Sequence, residues 1–90
     1  MVARRRGPVF LLVGGDVLVR TSDLVAILDQ GALAAAPTRE FLGFARRRGL
    51  VEDVAAGAPV KSAVVCRERV FLSPYASATL RRRLEQAARS

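Results

Sequence analysis

The chain has no histidine and no tryptophan, and only one each of cysteine, methionine and tyrosine. Without imidazole, the commonest acid–base group at neutral pH and the commonest nitrogen ligand for metals are both missing. The single cysteine, Cys66, permits no internal disulfide and no thiolate cluster, which suits a reducing compartment. At the end of an apolar run it reads as a small core residue. Acidic residues are also few, eight Asp and Glu against fifteen Lys and Arg. No two of them have a spacing that implies an acid and a base sharing one reaction. Ser73 and Ser77 have no histidine to activate them. Gly14-Gly15-Asp16 is followed by strand-like sequence and lacks the Lys-Ser/Thr pair of a phosphate loop. The expectation is a protein that is not an enzyme and takes no cofactor, metal or small-molecule substrate.

Long apolar runs are missing as well. Residues 4–6 are arginines followed by VFLLV, which has the outline of a secretory signal. That run stops at Gly14, too short for a signal core or a membrane span. A cytoplasmic chain with no membrane partner is expected.

What the chain does have is arginine. The net charge is +7, and Lys61 is the one basic residue that is not arginine. The excess sits in residues 1–6 and in the second half, an asymmetry that suits a polyanion, with nucleic acid the commonest. A coding bias that inflates Arg and Ala would give the same composition without any ligand. Ninety residues make one domain, yet 51% of them are hydrophobic. That is more apolar material than one small core needs, so part of it is expected to close a subunit interface. Much of it is alanine, which gains little on burial.

The element pattern is that of an α+β domain with six short strands and two helices, mostly antiparallel. Residues 1–7 form a basic arm, and 8–90 are the domain. Residues 9–13 and 17–20 flank Gly14-Gly15-Asp16 as a hairpin in which glycine supplies positive φ. Residues 24–28, an uninterrupted apolar run, read as a central strand buried on both faces. Pro37 opens a helix with Phe41, Leu42 and Ala45 as its buried stripe, and Gly49 ends it. Residues 50–54 alternate as a half-exposed strand, and a turn over 55–60 leads into the strand 62–66. That strand forms a hairpin with 70–72 across Arg67-Glu68-Arg69. Leu80, Leu84, Ala87 and Ala88 then mark a final helix that starts at either Ser73 or Ser77. Its solvent side carries Arg81, Arg82 and Arg83.

Pairing 50–54 antiparallel with 62–66 places Arg48 near Arg67. Arg46, Arg47, Arg48, Arg67 and Arg69 then collect at one end of the sheet, with Lys61 at the other. Arginine's planar fork suits phosphate oxygens. Helix-end complementarity on a solvated face accounts equally well for residues 46–48.

The order GGDVLV, DLVAILD, REFLGFARRRG and PVKSAVVCRERVFLSPYASATLRRR resembles the RemA/RemB family of extracellular-matrix (biofilm) regulators. Lys61-Ser62 before AVV, and LSP followed by S-x-T-L, are closer to the RemB branch. The resemblance implies a small cytoplasmic transcriptional regulator that binds double-stranded DNA. It also implies a LytTR-like subunit in a homo-oligomeric ring with DNA on its outside. Members of that family carry an arginine pair where this chain has Pro59 and Val60, which leaves Lys61. A basic residue before the strand 24–28 is replaced by Ser22 or Asp23, with Arg20 placed to restore charge. The candidate nucleic-acid contacts are therefore Lys61, Arg20, Arg46, Arg47, Arg48, Arg67 and Arg69. A ring-forming interaction module without strong DNA binding is the alternative, favoured by the missing arginine pair.

Overall fold

The computed structural model describes residues 9–89; the expected basic arm lies outside them. Two strands, β1 (Phe10–Gly14) and β2 (Val17–Arg20), form an antiparallel hairpin. After a 3-10 turn at Thr21–Asp23, β3 (Leu24–Leu28) leads into two helices, α1 (Gln30–Ala34) and α2 (Ala36–Arg47). Then come β4 (Val51–Asp53), β5 (Ser62–Cys66), β6 (Val70–Ser73) and α3 (Ser77–Arg89). The second sheet has the order β3-β5-β6-β4.

The period of two along these strands divides the side chains between two faces. Ile27, Val64 and Phe71 of the four-stranded sheet meet Leu11, Val13 and Val19 of the hairpin and Leu80 of α3 in one cluster. Ala63, Val70 and Leu72 face the opposite way and meet Leu42 and Ala45 of α2. The central sheet is thus covered by the hairpin and α3 on one side and by α2 on the other. Leu80 is fully buried, which is worth about 1.5–3 kcal/mol over leaving it exposed.

The six strands, the β5–β6 hairpin and the α+β class agree with the sequence reading; several details do not. β3 is an edge strand, and of its residues only Ile27 is buried, with Val25 65% exposed. An apolar run fits an edge as well as a centre, because period two is invisible when both faces carry the same residue type. β4 pairs with β6, in parallel, and not with β5. The chain does reverse between β4 and β5, but β3 already holds one side of β5 and the hairpin turn brings β6 to the other. β4 therefore takes the free edge of β6. The helix α1 was not expected. The Asp29 carboxylate accepts from the Ala32 N–H at 2.8 Å, a cap that nucleates this single turn. Phe41 does not belong to the buried stripe; it is 42% exposed. α3 starts at Ser77, the later of the two alternatives.

α2 ends as a Schellman turn. Gly49 has φ +72, its N–H donates to the Arg46 carbonyl, and the Leu50 N–H donates to the Ala45 carbonyl. Gly14 does not supply positive φ; Gly15 does, at +52. Gly14 is small for another reason. A Cβ there would stand 2.5 Å from the Val54 carbonyl oxygen and 3.1 Å from Pro74 Cδ, where the hairpin crosses the main sheet.

Ser62 and Ser73, opposite each other in the β5–β6 register, are both wholly buried. The Ser73 hydroxyl donates to the Val13 carbonyl at 2.6 Å and accepts from the Tyr75 N–H at 3.0 Å. The Ser62 hydroxyl donates to the Tyr75 carbonyl at 2.7 Å. A buried hydroxyl must find such partners or forfeit its desolvation energy.

Two substitutions measure this seam. Gly14→Ala forces backbone movement and should cost about 1–3 kcal/mol, with Tm lower by roughly 4–8 °C per kcal/mol at this size; Gly15, with nothing within 4 Å, bears only the strain of its φ. Ser73→Ala leaves the Tyr75 N–H and the Val13 carbonyl without their partner and should cost about 1–3 kcal/mol. Urea denaturation should show the midpoint falling with little change in slope.

Candidate nucleic-acid interface

Each of the seven sequence-predicted contacts is solvent-exposed, and the fold separates them into groups. Arg20 ends β2, while Arg67 and Arg69 flank the β5–β6 turn. The Arg67 N–H donates to the Asp23 carbonyl at 2.9 Å and so draws the Arg20 turn against this hairpin. The three arginines line one cleft of about 400 Å³. Among the described residues none of these three side chains has a hydrogen bond or an ion pair.

Arg48 belongs to the same end of the sheet, although the expected pairing was wrong. β4 runs parallel to β6, and the Val70 N–H donates to the Leu50 carbonyl at 2.8 Å, which brings residues 48–50 beside Arg69. Its guanidinium lies 4.8 Å from the centroid of the Phe44 ring, a cation–π contact that occupies one face of the group. Arg46 and Arg47 fall in the last turn of α2, where positive charge complements the helix dipole.

Arg46 does something further. With Arg39 it borders a groove of about 340 Å³ whose lining includes Leu33, Leu42, Leu72 and Val60. Val60 is one of the two positions where arginines were expected from the resemblance, and Lys61 follows it directly. Arg39 and Arg46 are seven apart on α2, two turns, so they share a face. Arg39 and Arg46 thus bring positive charge beside residues 59–60, which carry none themselves. Arg39 was not among the expected contacts; its i, i+7 relation to Arg46 was the signal in the sequence. Lys61 directly precedes β5, its N–H donating to the Ser73 carbonyl at 2.8 Å. At about 3.3 Å per residue, the length of β5 separates it from Arg67 by roughly 20 Å.

The arginines of α3 are not all idle solvent groups. Arg81 Nη2 donates to the Ile27 carbonyl at 3.1 Å, and Arg83 Nη1 donates to the Leu12 carbonyl at 3.4 Å. Arg83 also stacks over Tyr75 at 4.4 Å. These two fasten α3 across β1 and β3, while Arg82 faces solvent.

Large apolar side chains remain open in three places. Phe10 and Leu18 stand 47% and 56% exposed on the outward face of the hairpin, Val25 is exposed on β3, and Phe41, Phe44 and Leu50 are exposed on and after α2. Among the described residues no helix is long and apolar enough to cross a membrane.

Cys66 borders the first cleft, half-buried. Burial, and secondarily the Asp23 carboxylate, pushes its thiol pKa up, so less thiolate is present at a given pH than in a free thiol. At pH 8, labelling by a thiol-specific disulfide reagent should run slower in the native chain than in denaturant. Equal rates in the two states would contradict this placement.

Residues 10–84 match the family model RemA-like, described as extracellular matrix regulatory protein A-like. A search of curated proteins found no match.

Proposed function

The chain belongs to the RemA-like family of extracellular matrix regulatory protein A-like proteins, and from that premise we propose that it is a cytoplasmic, DNA-binding transcriptional regulator working as a homo-oligomeric ring. The observation that carries DNA binding is the groove at Val60, where Arg39 and Arg46 of α2 border the loop that ends in Lys61. Guanidinium forks on a helix face beside a loop lysine are a phosphate-contacting surface that needs no base-edge contacts. Selectivity then comes from how readily a DNA sequence bends to follow the array. Lys61-Ser62 remains the feature that favours the RemB branch.

The ring reading is supported by the uncovered apolar residues. Head-to-tail assembly joins two different surfaces, and the β3 edge, where Val25 is exposed, is distinct from the α2 region with Phe41 and Phe44. Contiguous apolar surface rimmed by charge is typical of such contacts.

Arg46→Glu combined with Lys61→Glu should weaken duplex DNA binding at least tenfold at about 50 mM salt and flatten the log–log salt slope by about 0.9 for each phosphate no longer neutralised. Light scattering should show the assembly unchanged, and Arg82→Glu should retain most of the affinity. Loss of binding on Arg67→Glu with Arg69→Glu, but not on the first pair, would move the interface to the other cleft. The second reading, an interaction module without DNA binding, rests on Pro59-Val60 standing where arginines were expected. Absence of gel retention at low salt by an intact oligomer would favour it.

A further inference from the structure

The cleft between the two hairpins has features that duplex binding does not use. Phe10 and Leu18 come from the outward face of β1–β2, where the register pairs Phe10 with Arg20 and Leu12 with Leu18. Buried Phe71 and exposed Arg20, Arg67 and Arg69 also line the cleft. A recess of about 400 Å³ lies in the range that holds a small organic ligand, whereas a phosphate on a duplex surface needs no recess.

Two carboxylates, Asp23 and Glu68, also border this cleft, and neither forms an ion pair with the three arginines among the described residues. The cleft therefore presents three sets of complementary groups at once. The guanidiniums donate hydrogen bonds and carry positive charge. The carboxylates accept from hydroxyl or amino groups. The Phe10 ring, 47% exposed, offers a face on which a planar ring stacks. An inorganic phosphate satisfies the first set alone, and a hydrophobic ligand only the last. A ligand with a phosphate, sugar hydroxyls and a flat base satisfies all three.

We propose that this cleft is a binding site for a mononucleotide, a small regulatory ligand held separately from the surface assigned to DNA. The phosphate sits among Arg20, Arg67 and Arg69, the base lies against Phe10, and the ribose or an exocyclic amine donates to Asp23 or Glu68. The proposal goes beyond the DNA-binding reading and does not rest on it, because its groups and its test are different ones.

The test is isothermal titration of the full chain, in its native assembly and at low salt, with AMP, adenosine, ribose 5-phosphate and inorganic phosphate as probes. AMP should saturate with a dissociation constant below about 1 mM, and each of the other three should bind at least tenfold more weakly. Arg67→Ala and Arg69→Ala, both on an exposed turn, should each lower AMP affinity at least fivefold. Phe10→Ala should bring AMP close to ribose 5-phosphate, and Arg82→Ala should match the parent chain. Failure to saturate with AMP would overturn the proposal. So would equal affinity for AMP and phosphate, or an equal loss on Arg82→Ala, since either reduces the cleft to general attraction of anions. A chain that retains no DNA yet binds AMP would refute the DNA reading and leave this one standing; DNA retention without AMP saturation would do the reverse.

Discussion

One buried hydrogen bond joins the two sheets. The Ser73 hydroxyl donates to the Val13 carbonyl across 60 residues of sequence, at 2.6 Å and out of reach of water. A two-stranded hairpin such as β1–β2 has little stability of its own in water. Here it is fastened where Ser73 meets Val13 and where Gly14 lets its backbone approach the Val54 carbonyl. Tyr75 closes the arrangement by donating its N–H to Ser73, accepting from Ser62 and lying beneath the Arg83 guanidinium. Since Phe10, Leu18 and Arg20 ride on that hairpin, the shape of the cleft at the far side depends on this seam. A polar residue at the crossing fixes orientation in a way apolar packing alone does not, because a slipped hairpin leaves a buried hydroxyl without its acceptor.

The arginines divide by what their side chains touch. Arg81 and Arg83 reach backbone carbonyls on β3 and β1, and Arg48 lies over Phe44. These contacts use the guanidinium as a donor and a flat plate, and they leave the charge in place without requiring a ligand. Arg20, Arg67 and Arg69 touch no protein acceptor among the described residues although Asp23 and Glu68 border the same cleft. A coding bias toward arginine accounts for abundance, but not for unpaired guanidiniums converging from β2 and from both flanks of the β5–β6 turn.

Much of the fold was legible in the sequence where local signals are strong. The β5–β6 hairpin stood out because two apolar runs enclose three charged residues, and α2 because Pro37 and Gly49 bracket it. β3 was legible as a strand but not as an edge, since neighbours are chosen by tertiary packing. β4 was given its direction correctly and its neighbour wrongly, for the same reason. α1 escaped notice because a single turn has almost no period; its one signal was Asp29 three residues before Ala32. Of the candidate contacts, Arg67 and Arg69 came with the hairpin. Arg20 joined them only through the Arg67–Asp23 backbone hydrogen bond, which no sequence pattern announces. Arg39 was visible as the i, i+7 neighbour of Arg46, but its significance required knowing that Val60 of the loop lines the same groove.

The same geometry connects charge to assembly. In the proposed ring, a junction that buries Val25 of β3 from one copy lies near Arg81, which donates to the Ile27 carbonyl, and a junction that buries Phe41 and Phe44 carries Arg39 and Arg46 on the same helix. Like charges on facing rims repel, so such an interface needs an apolar centre large enough to outweigh that repulsion, or a counter-charge between the rims. A polyanion that spans successive copies supplies the counter-charge, and the effective concentration of each further contact rises once the first is made. A weak cationic groove on one subunit then becomes a strong site on the array, and polyanion binding and subunit association stabilise each other.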